Sequence, residues 1–190
     1  VQTCALPISV VVSGPVDDWN PLHWDLERHL PLQDDRDVDE IDRYRISDDE
    51  QLWIDVWNRF LDEVDCERLP GFPIWADALM EHVPIPAGTP VWKADFLRKN
   101  SEFYAEHARQ IDRWRRRSPE LANMPPSRRK LEWQAQDTDR DLRNCVLQFR
   151  PSGIRAKRPT YLPALVAITQ TSVVGWRGRR LTPREAARLQ

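Results

Sequence analysis

The stretch 145–190, CVLQFRPSGIRAKRPTYLPALVAITQTSVVGWRGRRLTPREAARLQ, is where the character of the chain changes. Cys145 to Phe149 reads as a strand, Pro151 to Gly153 as a turn, and LPALVAITQT, with Leu165, Val166 and Ile168, as a second strand. Gly175 and Gly178 mark a tight turn. Thr182 and Glu185 then make a capping box, with Pro183 at the first helical position, where its missing N–H costs nothing. The end of the chain is therefore expected to run strand, turn, strand, turn, helix.

Upstream the pattern is helical. Ser47 and Glu50 form a first capping box, and Asp48 and Asp49 suit the positive end of a helix dipole. Leu52, Trp53, Val56, Trp57, Phe60, Leu61 and Val64 follow at helical spacing and predict one core-facing stripe. Pro70, Gly71 and Pro73 enforce a turn, after which Ile74, Trp75, Ala78 and Leu79 are expected to begin a second helix. Residues 93–117 read as a long helix with Leu97, Tyr104, Ala108, Ile111 and Trp114 on one face; Arg115, Arg116 and Arg117 suit its C-terminus. PPSRRKLEWQAQ, 125–136, predicts a shorter helix capped by Ser127.

The fold class expected is α+β, in four parts. Residues 1–8 read as a cut end or foreign junction. Residues 9–46 read as an acidic, irregular connection with a short helical turn at Leu26 to Leu30 and a solvent-facing run from Asp34 to Asp42. Residues 47–144 form a helical region, and 145–190 a basic, strand-rich segment. A hydrophobic fraction of 41% with nine Trp points to a packed globular protein. No apolar run is long enough to cross a bilayer. Cys4, Cys66 and Cys145 are isolated from one another and from His, so neither a disulfide framework nor a metal site is expected, and a reducing cytoplasm is the natural compartment.

The net charge of −2 hides an asymmetry: −12 over residues 1–65, +2 over 66–149 and +8 over 150–190. A basic end is the footprint of a polyanion contact, and equally a face that balances the acidic start within one fold; charge alone leaves both open. No G-x-S-x-G, G-x-x-x-x-G-K or G-x-G-x-x-G occurs, and His23, His29, His82 and His107 are scattered. The residues show no active site of their own.

RRLTPREAARLQ, 179–190, resembles the ninth motif of DNA (cytosine-5) methyltransferases, R-x-L-T-x-R-E-x-x-R-L-Q. The lead-in from Phe149 to Gly175, and the stretches LPGFPIWAD and WKADFLRKNSEFY, are similar to the recognition region of some bacterial members. The similarity extends back to about Trp24. The family's cofactor motif D-x-F-x-G-x-G, its nucleophile motif P-C-Q, and its E-N-V and Q-x-R-x-R motifs are absent. The resemblance thus implies a C-terminal fragment that would complete an α/β methyltransferase fold in its parent, with double-stranded DNA and the missing N-terminal catalytic part as partners. It implies a parent, of a bacterial restriction–modification system, that flips cytosine out of the duplex, adds a cysteine thiolate to C6, and moves a methyl group from S-adenosyl-L-methionine to C5. This chain would supply recognition, not catalysis. Arg150, Arg155, Lys157, Arg158, Arg177, Arg179 and Arg180 are the candidates for contact with phosphates or base edges, since arginine forks read guanine and position the backbone. Thr182, Arg184 and Glu185 are candidates for organising the motif, Arg184 standing equally for a DNA contact. Two alternatives are a non-enzymatic nucleic-acid-binding module and a helical protein-interaction domain. The two C-terminal strands are expected to leave unpaired edges without a neighbouring structure.

Overall fold

A computed structural model describes residues 32–160, 162 and 171–187. The helical turn expected at Leu26 to Leu30 and the strand expected in LPALVAITQT fall outside them. Helix α1, Asp48–Glu63, starts as its sequence dictates: Ser47 Oγ accepts from Glu50 N at 3.3 Å, and Glu50 Oε2 accepts from Ser47 N at 3.0 Å. Its Ile54, Val56, Trp57, Phe60 and Leu61 are buried. Strand β1, Ile74–Trp75, precedes helix α2, Val91–Arg117. Strands β2 (Lys130–Gln134), β3 (Val146–Arg150), β4 (Gly153–Lys157), β5 (Val173–Val174) and β6 (Arg179–Arg180) follow, then a short helix α3, Pro183–Ala187.

The six strands make one sheet in the order β1-β2-β4-β3-β5-β6. Among the described residues only the β2–β4 pair is parallel. Leu131, Trp133, Leu147, Phe149, Ile154, Ala156 and Val173 are buried in the single core that they share with α1 and α2. At the centre of that core Trp57, Phe60 and Trp114 interlock, with ring centroids 4.9–5.4 Å apart. The indole of Trp114 donates to Val56 O at 2.8 Å, and that of Trp57 to Arg128 O at 2.8 Å, so neither buried N–H is orphaned.

Two expected helices are strands. Residues 130–134 are β2 rather than a helix capped by Ser127. Leu131, Trp133 and Ala135 are all buried; a spacing of two puts them on one face of a strand but scatters them around a helix. Ile74 and Trp75 form β1 and Ala76–Ala78 one 3-10 turn. Their backbone is claimed by β2 and by the wholly buried Asn100 of α2, whose Oδ1 accepts from Trp75 N at 2.7 Å and whose Nδ2 donates to Pro73 O at 3.1 Å. The region 47–144 is therefore mixed, not helical throughout. In α2 the buried residues are Ala94, Asn100, Phe103, Ile111 and Trp114, while Leu97, Tyr104 and Ala108 lie half-buried; the helix kinks at His107 (φ −123°, ψ 21°).

Of the two C-terminal strands expected to leave open edges, β3 is paired on both sides, with β4 and β5, and the other lies outside the described residues. The outer strands β1 and β6 have partners within the chain. At β1 the cover is Asn100. At β6, Arg180 N donates to Tyr44 O at 2.8 Å, Ile46 N donates to Gly178 O at 3.1 Å, and Arg45 bridges Arg179. The expected turn between β5 and β6 is present, with Gly178 in the left-handed region at φ 58°.

Candidate nucleic-acid interface

Alternation along β2, β3 and β4 gives the sheet a second face opposite the core. Cross-strand register aligns Glu132 with Arg155 and Gln148, and Gln134 with Lys157; Arg150 pairs with Gly153 at the hairpin. Lys130, Glu132, Gln148, Arg150, Arg155 and Lys157 on this face are partly exposed and Gln134 is exposed, whereas their neighbours along the strands are almost all buried. Glu132 is the hub. It accepts from Arg150 Nη2, from Arg155 Nη2 at 3.1 Å and from Gln134 Nε2. Two guanidinium groups thus share one carboxylate, and the Nε atoms of both Arg150 and Arg155 are buried without a hydrogen-bond partner. The face carries an excess of positive charge, which suits an anionic oxygen.

The other candidate cations lie elsewhere. Arg158, just past β4, pairs with Asp137 at 2.6 Å. Arg177 lies in the β5–β6 turn, 3.7 Å from Asp35. Arg180 points to the core side and pairs with Glu50 of α1. Arg179 is wholly enclosed. All five of its N–H groups are used: Nε donates to Asp35 Oδ1 at 2.7 Å, Nη1 to Glu185 Oε2 at 2.9 Å and Arg180 O at 3.0 Å, and Nη2 to Glu185 Oε1 at 2.9 Å and Gln33 O at 3.2 Å. An arginine so enclosed has no N–H left to donate to a duplex; it ties Gln33 and Asp35 to Arg180 and Glu185. Arg184, in contrast, is exposed on α3.

Glu185 closes that cluster. Its carboxylate accepts from Arg179, from Thr182 N at 2.8 Å and from Gln33 N at 2.8 Å, while Thr182 Oγ1 accepts from Glu185 N at 3.1 Å. The capping box read from the sequence is therefore formed. Burial pushes the Glu185 carboxyl up, but the hydrogen bonds from Arg179, Thr182 N and Gln33 N outweigh it, and its pKa is lowered. Asp35 sits in the run expected to face solvent, yet it binds Arg179. The charge asymmetry is thus partly resolved inside the fold: Asp35 and Glu50 from the acidic start neutralise cations of the basic end. On the outer face of β3 and β4, Arg150 and Arg155 share the one carboxylate of Glu132.

Sequence reasoning missed Glu132, Gln134, Gln148 and Lys130 of this face. The alternation in KLEWQA was the available signal for β2. Nothing local marked Asp35 or Gln33 as partners of a residue more than a hundred positions away.

The two described cysteines are poor nucleophiles. Burial, with a smaller push from Asp141, raises the Cys145 thiol to about 12, and burial also raises that of Cys66. Among the described residues no group of three His, Cys, Asp or Glu is placed to hold a metal ion, and no helix is long and apolar enough to cross a membrane.

No protein-family model and no solved structure matches the chain. It is similar to the type II methyltransferase M.AluI of Cellulosimicrobium cellulans, with 40% identity over 193 aligned residues that cover 77% of this chain and 37% of that protein. The chain thus spans little more than a third of the relative's length. Identity at that level over most of the chain agrees with the resemblance carried by residues 179–190, and the chain belongs to the DNA methyltransferase family.

Proposed function

We propose that this chain is the DNA-recognition part of a DNA (cytosine-5) methyltransferase of a bacterial restriction–modification system. In this reading the parent transfers a methyl group from S-adenosyl-L-methionine to C5 of cytosine in duplex DNA. The observation that carries the DNA contact is the outer face of β2, β4 and β3, where Arg150 and Arg155 share Glu132 beside Lys157. Phosphates are drawn to such a face, and arginine forks read guanine edges. Arg158 is a candidate for a further phosphate contact once its exposed partner Asp137 is displaced, and Arg177 is another candidate. Arg179, Thr182 and Glu185 organise the motif.

The described residues do not fit the cofactor. None of their glycines lies in a Gly-rich turn from a strand into a helix, and neither described thiol is activated. Methyl transfer is therefore assigned to parent residues outside this chain, in an α/β fold beside which the α+β unit sits. The test is to incubate the full-length protein that contains this chain with duplex DNA and labelled cofactor, and to identify the methylated base by mass spectrometry. The expected product is 5-methylcytosine. N4-methylcytosine or N6-methyladenine would overturn the chemistry, and methyl transfer by the 190-residue chain alone would overturn the division of labour.

A further inference from the structure

We infer that Glu132 is a specificity-determining residue of the recognition face: a built-in competitor that keeps Arg150 and Arg155 from binding DNA phosphates indiscriminately. The inference rests on the reading of this face as a duplex DNA contact.

The geometry supplies the argument. Glu132 lies on the central part of the sheet's outer face, level with Arg155 on the neighbouring strand. Its side chain is 17% exposed, and those of Arg150 and Arg155 are 24% and 25% exposed. The carboxylate is screened less than a surface ion pair, and it holds the terminal nitrogens of both arginines. A phosphate that approaches those nitrogens meets a negative charge already seated there. Like charges brought together at an interface raise the free energy of the wrong complex more than that of the right one. The Nε donors remain, buried and unpartnered, on both arginines. Being buried, they offer an incoming phosphate no alternative to the terminal nitrogens that Glu132 already holds. A carboxylate here also accepts from exocyclic amino groups of bases, which a phosphate lacks. One acid among these cations therefore disfavours the backbone and favours base edges.

The substitution that separates this role from simple packing is Glu132→Gln, which keeps the shape and removes the charge. Its partner control is Glu132→Asp, which keeps the charge. The probe is a pool of randomised 20-base-pair duplexes, bound to the purified 190-residue chain and sequenced from the bound fraction across a range of salt. Glu132→Gln is expected to bind the pool more tightly, with less sequence enrichment. It is also expected to show a salt slope steeper by about 0.9, the value for one added phosphate contact. Its advantage over wild type then shrinks by about 3.5-fold between 50 and 200 mM salt. Glu132→Asp is expected to keep the wild-type slope. If wild type binds and enriches sequences but Glu132→Gln has the same slope and the same enrichment, the role of Glu132 is overturned and the DNA-contact reading stands. If neither protein binds with salt dependence, the DNA-contact reading fails and the inference with it. Thermal unfolding of each variant confirms that a loss of binding is not a loss of fold.

Discussion

Replacing Arg179 by Met removes the cation from the cluster that joins residues 33–35 to the ninth-motif segment. The side chain is wholly buried, and five hydrogen bonds of 2.7–3.2 Å go with it. What remains is the Glu185 carboxylate, 2% exposed, with only Thr182 N and Gln33 N to hold its charge. Breaking a buried pair by removing one partner costs about 3–5 kcal/mol, because the other charge is left uncompensated. In a chain of this size that is a fall in Tm of roughly 6–20 °C. Urea unfolding followed by Trp fluorescence measures the change, since core Trp57 and Trp114 report the transition. Glu185→Gln tests the other partner, and the double variant closes a cycle whose coupling term is expected to exceed about 1 kcal/mol. Arg179→Lys is expected to recover only part of the loss, because an ammonium has three donors where the site uses five. Losses below about 1 kcal/mol for both single variants would refute the claim that this cluster holds the motif in place.

Two further predictions follow from the same region. Stability should depend on pH through Glu185: its folded pKa lies below its ordinary value of 4.5, so its contribution is fully present above that value and is lost as pH falls through the folded pKa. The stability gap between wild type and Glu185→Gln should therefore narrow in acid below pH 4.5, and a gap that widens there would contradict the assignment. Gly175→Ala should destabilise by about 1–3 kcal/mol or more, because a Cβ there would lie 2.6–2.7 Å from the carbonyl oxygens of Cys145, Arg143 and Leu142. An unchanged denaturant midpoint would show that the β5–β6 turn is not packed as described.

How much of this was legible in the sequence depended on the range of the interaction. Local devices could be read directly. Both capping boxes form, and the turn at Gly175 and Gly178 is where it was expected; of the α1 stripe Val56, Trp57, Phe60, Leu61 and Val64 are buried, Leu52 and Trp53 are half-buried, and Ile54, outside the stripe, is buried too. Each is decided by residues within a few positions. Strand β2 was hidden because Leu131, Trp133 and Ala135 sit in a short run rich in helix-favouring residues, and pairing with β1 and β4 overrides that preference. Of the candidate cations, Arg150, Arg155 and Lys157 share one face because they alternate along a hairpin. Arg179 and Arg180 are adjacent in sequence but point to opposite faces, one into a buried cluster and one to α1. Charge counts carry no such information. The same limit kept Glu132 out of view: its partners come from two other strands.

The account's central claim is that the outer face of β3 and β4 contacts duplex DNA through its cations. The most direct measurement is the slope of log binding constant against log salt for wild type and for the variant Arg150→Gln, Arg155→Gln, Lys157→Gln. Each lost phosphate contact lowers the slope by about 0.9; with Glu132 offsetting one of the two arginines, about two contacts are lost and a reduction of about 1.8 is predicted. Equal slopes in the two folded proteins would contradict the claim.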